Sequence, residues 1–98
     1  MVLNPRGGPR LSDAEFRLLS RIEAGETVFR GSSAMRAGET IETLVDLLIA
    51  LRERGLVALT DSRIMRSQAG PILGAGPCTL TSAGQEALAW DRRLGPRA

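Results

Sequence analysis

Apolar residues recur every three or four positions through TIETLVDLLIALRERGLVAL, Thr40 to Leu59, where Ile41, Leu44, Val45, Leu48, Leu51 and Leu56 carry the period. That spacing predicts an amphipathic helix around which the rest of the chain is organised. Gly55 is the residue type that takes the left-handed conformation past a helix end, and Arg52 and Arg54 suit the negative end of the helix dipole. Leu56 to Leu59 then reads as a short strand.

Two further helices have start signals of their own. Ser12 can accept from the amide of Glu15 while the Glu15 side chain reaches back to the Ser12 amide, after which Phe16, Leu19 and Ile22, with Leu18, make an apolar face that Ala24-Gly25 closes. Thr81 is the expected cap of a last helix with Ala83, Ala87, Leu88 and Leu94 on its packed side, ended by Gly95-Pro96. Between these lie two less regular stretches. In Glu26 to Glu39 the apolar residues hold no clear period, so the expectation is a short extended segment or first helical turn at Thr27 to Phe29 and a short second helix over Ser32 to Ala37, capped by Ser32 or Ser33. Thr60 to Pro77 is rich in turn residues and predicts the large tip of a hairpin whose second strand is Cys78 to Thr81. Gly70 to Gly76 falls in that tip; it lacks the Gly-Lys-Ser/Thr and following helix of a phosphate loop.

These elements predict a mainly α fold with a small β-hairpin, an α+β domain over residues 12–94. An irregular N-terminal arm (1–11) precedes it and a short tail (95–98) follows. Ninety-eight residues at 43% hydrophobic content suffice for one small core, built without Tyr and with only Phe16, Phe29 and Trp90 as aromatics. Such a domain buries roughly 60–70% of the surface its unfolded chain exposes.

Composition removes several kinds of chemistry. A single cysteine, Cys78, allows no internal disulfide, and with no histidine there is no zinc site of the usual type. Without His, Lys or Tyr the usual general bases and Schiff-base nucleophiles are missing, so no enzyme, catalytic residue or cofactor is expected. Leu47 to Leu51 is far shorter than the ~20 residues of a membrane span. The expectation is a cytoplasmic protein. All thirteen basic residues are Arg, yet the net charge is only +2. An all-Arg complement suits phosphate and guanine edges and equally follows from a GC-rich genome.

Two separated stretches, Leu51-x-x-Arg54-Gly55-Leu56-Val57 and Thr79-Leu80-Thr81-x-x-Gly84-x-x-x-Leu88, resemble the winged helix-turn-helix regulators of the MarR and PadR types. In those regulators such a helix end runs into a wing and the wing runs into such a helix start. The resemblance implies a homodimer on double-stranded DNA, with the third helix in the major groove and the wing on the backbone. Carried onto this chain, it turns Glu42, Thr43, Val45, Asp46, Ile49 and Ala50 to the groove with Ser32, Ser33 and Arg36 nearby, and the candidate DNA contacts are Ser32, Ser33, Arg36 and Thr43 for positioning and Arg63 and Arg66 of the wing on phosphates. Glu42 and Asp46 depart from that pattern, since carboxylates repel phosphate, and they stand beside Val45 and Ile49. The alternative is therefore a winged helix used as an interaction module, with Val45 and Ile49 covered by a partner protein. Trp90 and Leu94 are the interface candidates on the last helix.

Overall fold

The computed structural model describes residues 11–33, 35 and 38–95. Three helices carry most of the regular structure, α1 (Asp13–Glu23), α2 (Ile41–Glu53) and α3 (Ser82–Arg93). Each starts where its capping residue sits. Ser12 accepts from Glu15 N–H at 3.1 Å and the Glu15 carboxylate accepts from Ser12 N–H at 2.7 Å, the reciprocal pair of a capping box. Thr40 and Thr43 make the same exchange at 3.2 and 2.9 Å, and Thr81 accepts from Gly84 N–H at 3.0 Å. Gly25 (φ +109°) and Gly55 (φ +77°) end α1 and α2. At the second of these Leu56 N–H reaches the Leu51 carbonyl and Gly55 N–H that of Arg52, so carbonyls the helix leaves open are satisfied.

Leu11, assigned from the sequence to the irregular arm, belongs to the domain, because it is 3% exposed and joins the core. It precedes the Ser12 cap and stands at the position from which a hydrophobic staple fixes the chain's entry into a helix. The remainder of that arm, Met1 to Arg10, lies outside the described residues, as do Pro96 to Ala98.

The strands form two antiparallel sheets. β2 (Val57–Ala58) pairs with β5 (Thr79–Leu80), while β1 (Phe29–Arg30), β4 (Ile72–Ala75) and β3 (Ile64–Arg66) form a second sheet in that spatial order. The stretch read as the hairpin's tip thus contains the central strand of the larger sheet. The expected return at Cys78 to Thr81 supplies only the short β5 beyond it.

Register fixes which way the side chains point, because residues directly opposite share a face. Phe29, Ala75 and Ile64 share the face turned to the core, and Arg30, Gly74 and Met65 share the other. A bulge then interrupts the ladder, so that Arg66 pairs with Ile72 and Leu73 is the extra residue. Ile72 consequently packs toward the core, while Leu73 is 53% exposed. Gly74 is required at its position: a Cβ there would collide with the Phe29 carbonyl oxygen and meet the Met65 methyl at 3.0 Å.

Leu18, Leu19 and Ile22 of α1, Leu44, Val45, Leu48 and Leu51 of α2, Phe29, Leu56, Val57, Ala75, Ala87 and Leu88 make one continuous core. α2 lies between α1 and the larger sheet, in contact with both. No helix among the described residues is long and apolar enough to cross a membrane.

Candidate nucleic-acid interface

Two surfaces carry the residues that the sequence singled out, the solvent-facing arc of α2 and the β3–β4 hairpin. On α2 the exposed residues are Glu42, Thr43, Asp46, Ala50 and Glu53. Val45 is not among them. Expected on the partner-facing side, it is wholly buried in the chain's own core, because α2 packs against α1 on one flank and the sheet on the other and its inward arc is correspondingly wide. Ile49 is partly buried against that core and leaves only part of its side chain at the surface.

The outer arc of α2 is acidic. Glu42 and Asp46 are one turn apart and have no ion-pair partner among the described residues, and Glu53 is paired to Arg52 at 3.0 Å. Thr43 is at the surface, but its hydroxyl is engaged in the helix start, donating to the Thr40 carbonyl at 2.9 Å and accepting from the Thr40 amide. Ser32 and Ser33 lie in the turn after β1. There Ser33 donates its amide to the Arg30 carbonyl and accepts the Arg30 amide on its hydroxyl, both at 2.9 Å, so its side chain closes a turn. Arg36, with Ala34 and Ala37 of the expected second helix, lies outside the described residues.

The arginines divide into two groups. Arg17, Arg21, Arg52, Arg54 and Arg92 are neutralised by Asp13, Glu26, Asp61 with Glu53, Glu15 and Glu23 respectively. The forked hydrogen bonds from Arg21 and Arg92 hold the Glu26 and Glu23 carboxyls below the usual carboxylate range. Arg30, Arg63, Arg66 and Arg93, all exposed, have no carboxylate partner among the described residues; the first three lie on or beside the larger sheet, and Arg93 is the last residue of α3. Arg63 is steadied by donating to the Pro77 carbonyl at 3.0 Å. Arg66, at the end of the edge strand β3, is exposed, and its guanidinium makes no hydrogen bond or ion pair among the described residues.

On α3, Trp90 and Leu94 are each partly exposed. The Trp90 indole N–H is out of solvent with no hydrogen-bond partner among the described residues. Arg92, beside them, lies 5.8 Å from the Phe16 ring centre and bonds Glu23, so it ties α3 to α1.

Little else in the molecule offers chemistry. Cys78 is buried, burial pushes its thiol up to about 11, and its S–H points to the Thr27 carbonyl at 3.3 Å, so it stays neutral at ordinary pH. Among the described residues no three His, Cys, Asp or Glu come together to hold a metal. A cavity of about 30 Å³ between α1 and α2, lined by Leu18, Leu44 and Leu47 with Arg17, Arg21 and Glu39, has room for about one water.

Arg30 and Leu73 are the surface residues that the sequence did not reveal. Arg30 sits in the stretch without periodicity, and the exposure of Leu73 depends on a bulge that only the pairing of β3 with β4 creates. Comparison with protein-family models, with curated proteins and with solved structures finds no match to this chain.

Proposed function

We propose that the chain is a winged-helix protein of the MarR/PadR kind, a dimeric cytoplasmic regulator that binds double-stranded DNA through its wing. In this reading the β3–β4 hairpin is the wing, Arg63 and Arg66 contact phosphates, and α2 contributes little to base reading. The observation that carries it is that Arg63 and Arg66, both on or beside the β3–β4 hairpin, have no carboxylate partner among the described residues, whereas Arg17, Arg21, Arg52, Arg54 and Arg92 each have one. A guanidinium already neutralised has little left for a phosphate, whereas an uncompensated one on a protruding hairpin suits backbone anchoring. Ser32, Ser33 and Thr43 would position the duplex by their surface placement only.

The test is fluorescence anisotropy of labelled mixed-sequence duplex DNA across a salt series. Affinity should fall steeply with salt, and Arg66→Ala should weaken binding at every sequence while lowering the salt slope by about 1. No binding at low salt defeats this reading. The second reading, an interaction module that takes a protein in place of DNA, is favoured by one observation, the exposed carboxylates Glu42 and Asp46 on the arc where a duplex would lie.

A further inference from the structure

We propose that the outer face of the β1–β4–β3 sheet docks onto the outer arc of α2 of a second copy of the chain. On the sheet side, Arg30 stands exposed across Gly74 from Met65, and the bulge turns Leu73 outward beside them. Gly74 has no side chain and the Met65 methyl lies over it, which leaves a low apolar floor next to one uncompensated cation. On the helix side, Glu42 and Asp46 are about 6 Å apart along the axis. Ala50 is exposed and Ile49 partly exposed next to them.

The two patches are complementary in kind. One offers a guanidinium with a large exposed leucine, the other two carboxylates with a partly exposed isoleucine. Within a single copy Glu42 and Asp46 repel each other at one-turn spacing. An arginine from a second copy relieves that repulsion, and Leu73 and Ile49 lose apolar surface to water in the same contact. Each patch holds only a few residues, well under the ~800 Å² per partner of a stable interface, so the association is reversible and concentration-dependent. Because two different surfaces meet, a copy engaged through one patch keeps the other available.

Sedimentation velocity on nucleic-acid-free protein tests this. At low salt the weight-average mass should climb above 10.5 kDa with concentration. At 1 M salt, where the Debye length is ~3 Å, the rise with concentration should disappear. Asp46→Arg and Arg30→Glu alter exposed positions, so each variant should fold, as circular dichroism will verify, and each alone should show no rise in mass with concentration, because like charges then face each other across the contact. Mixed in equal amounts they should associate again, to a mass above that of either variant alone, since the Arg30 patch of one meets the Glu42 and Asp46 patch of the other. A wild type whose mass does not rise with concentration, variants that still associate, or a mixture no heavier than its components would each overturn the proposal. Arg66→Ala should leave self-association unchanged, so failure here is separable from failure of the DNA reading.

Discussion

α2 and β4 lie against each other in the centre of the molecule, and they are specified in opposite ways. α2 has its start in the Thr40–Thr43 exchange, its stop in Gly55 and its inward side in a repeat every three or four residues, all within its own stretch of chain. β4 is four residues, Ile-Leu-Gly-Ala, with no alternation of its own. Its pairing partners come from residues 29–30 on one side and 64–66 on the other, and a bulge opposite β3 decides which of Ile72 and Leu73 turns inward. The difference teaches where tolerance lies. A locally specified element can change on its outer side without consequence, whereas one specified by its neighbours is least tolerant at its smallest residue.

Three substitutions and one control probe that contrast, the three in falling order of expected effect. Val45→Asp puts a carboxylate where no solvent reaches and should cost about 4 kcal/mol, enough to lower the urea midpoint sharply or abolish folding. A mild effect would mean that the inward arc of α2 is narrower than described and would return Val45 to the surface. Gly74→Ala should destabilise by about 1–3 kcal/mol, since its methyl must displace the Phe29 carbonyl. Gly31→Ala is its control: an added Cβ there meets nothing within 4 Å, and no loss of stability should appear in the same melts. Equal behaviour of the two glycine variants would remove the argument that close strand approach dictates β4. The smallest effect belongs to Asp46→Arg, which turns a like-charge pair on α2 into an attraction between Glu42 and the introduced guanidinium and should raise stability by about 0.5 kcal/mol or less. Thermal melts at low salt resolve that gain, and high salt should erase it.

The same contrast explains which parts of the fold are legible in the sequence. Ser12 and Thr81 each announce a helix because a cap acts on amides two or three residues away, and Gly55 announces an end because the bonds it permits are equally local. Gly70 to Gly76 reads as turn because glycine and proline have turn chemistry in isolation. Gly74 instead marks the place where another strand's backbone comes close, which a single sequence does not display. Val45 departs from its expected place for a related reason: period alone gives the direction of a helix's inward side, but its width depends on how many neighbours cover it. The candidate surface is legible to about the same depth. Arg63 and Arg66 can be picked out in a turn-rich basic stretch, whereas the pairing of Arg17, Arg21, Arg52, Arg54 and Arg92 with carboxylates, which sets Arg30, Arg63, Arg66 and Arg93 apart among the described residues, involves partners as far along the chain as Glu15 from Arg54 and Glu23 from Arg92.

The joint between α2 and α3 carries a mechanical consequence. Thr81 donates its hydroxyl to the Gly55 carbonyl at 2.6 Å and its amide to the Leu56 carbonyl at 3.2 Å, and Gly84 lies so close to the Leu56 carbonyl that no side chain fits between. The end of one helix and the first turn of the other are clamped by close backbone contact and one short threonine side chain. The end of α2 thereby sets where α3 begins, and Trp90, the chain's sole tryptophan, sits two turns along α3 as a ready optical label for that helix.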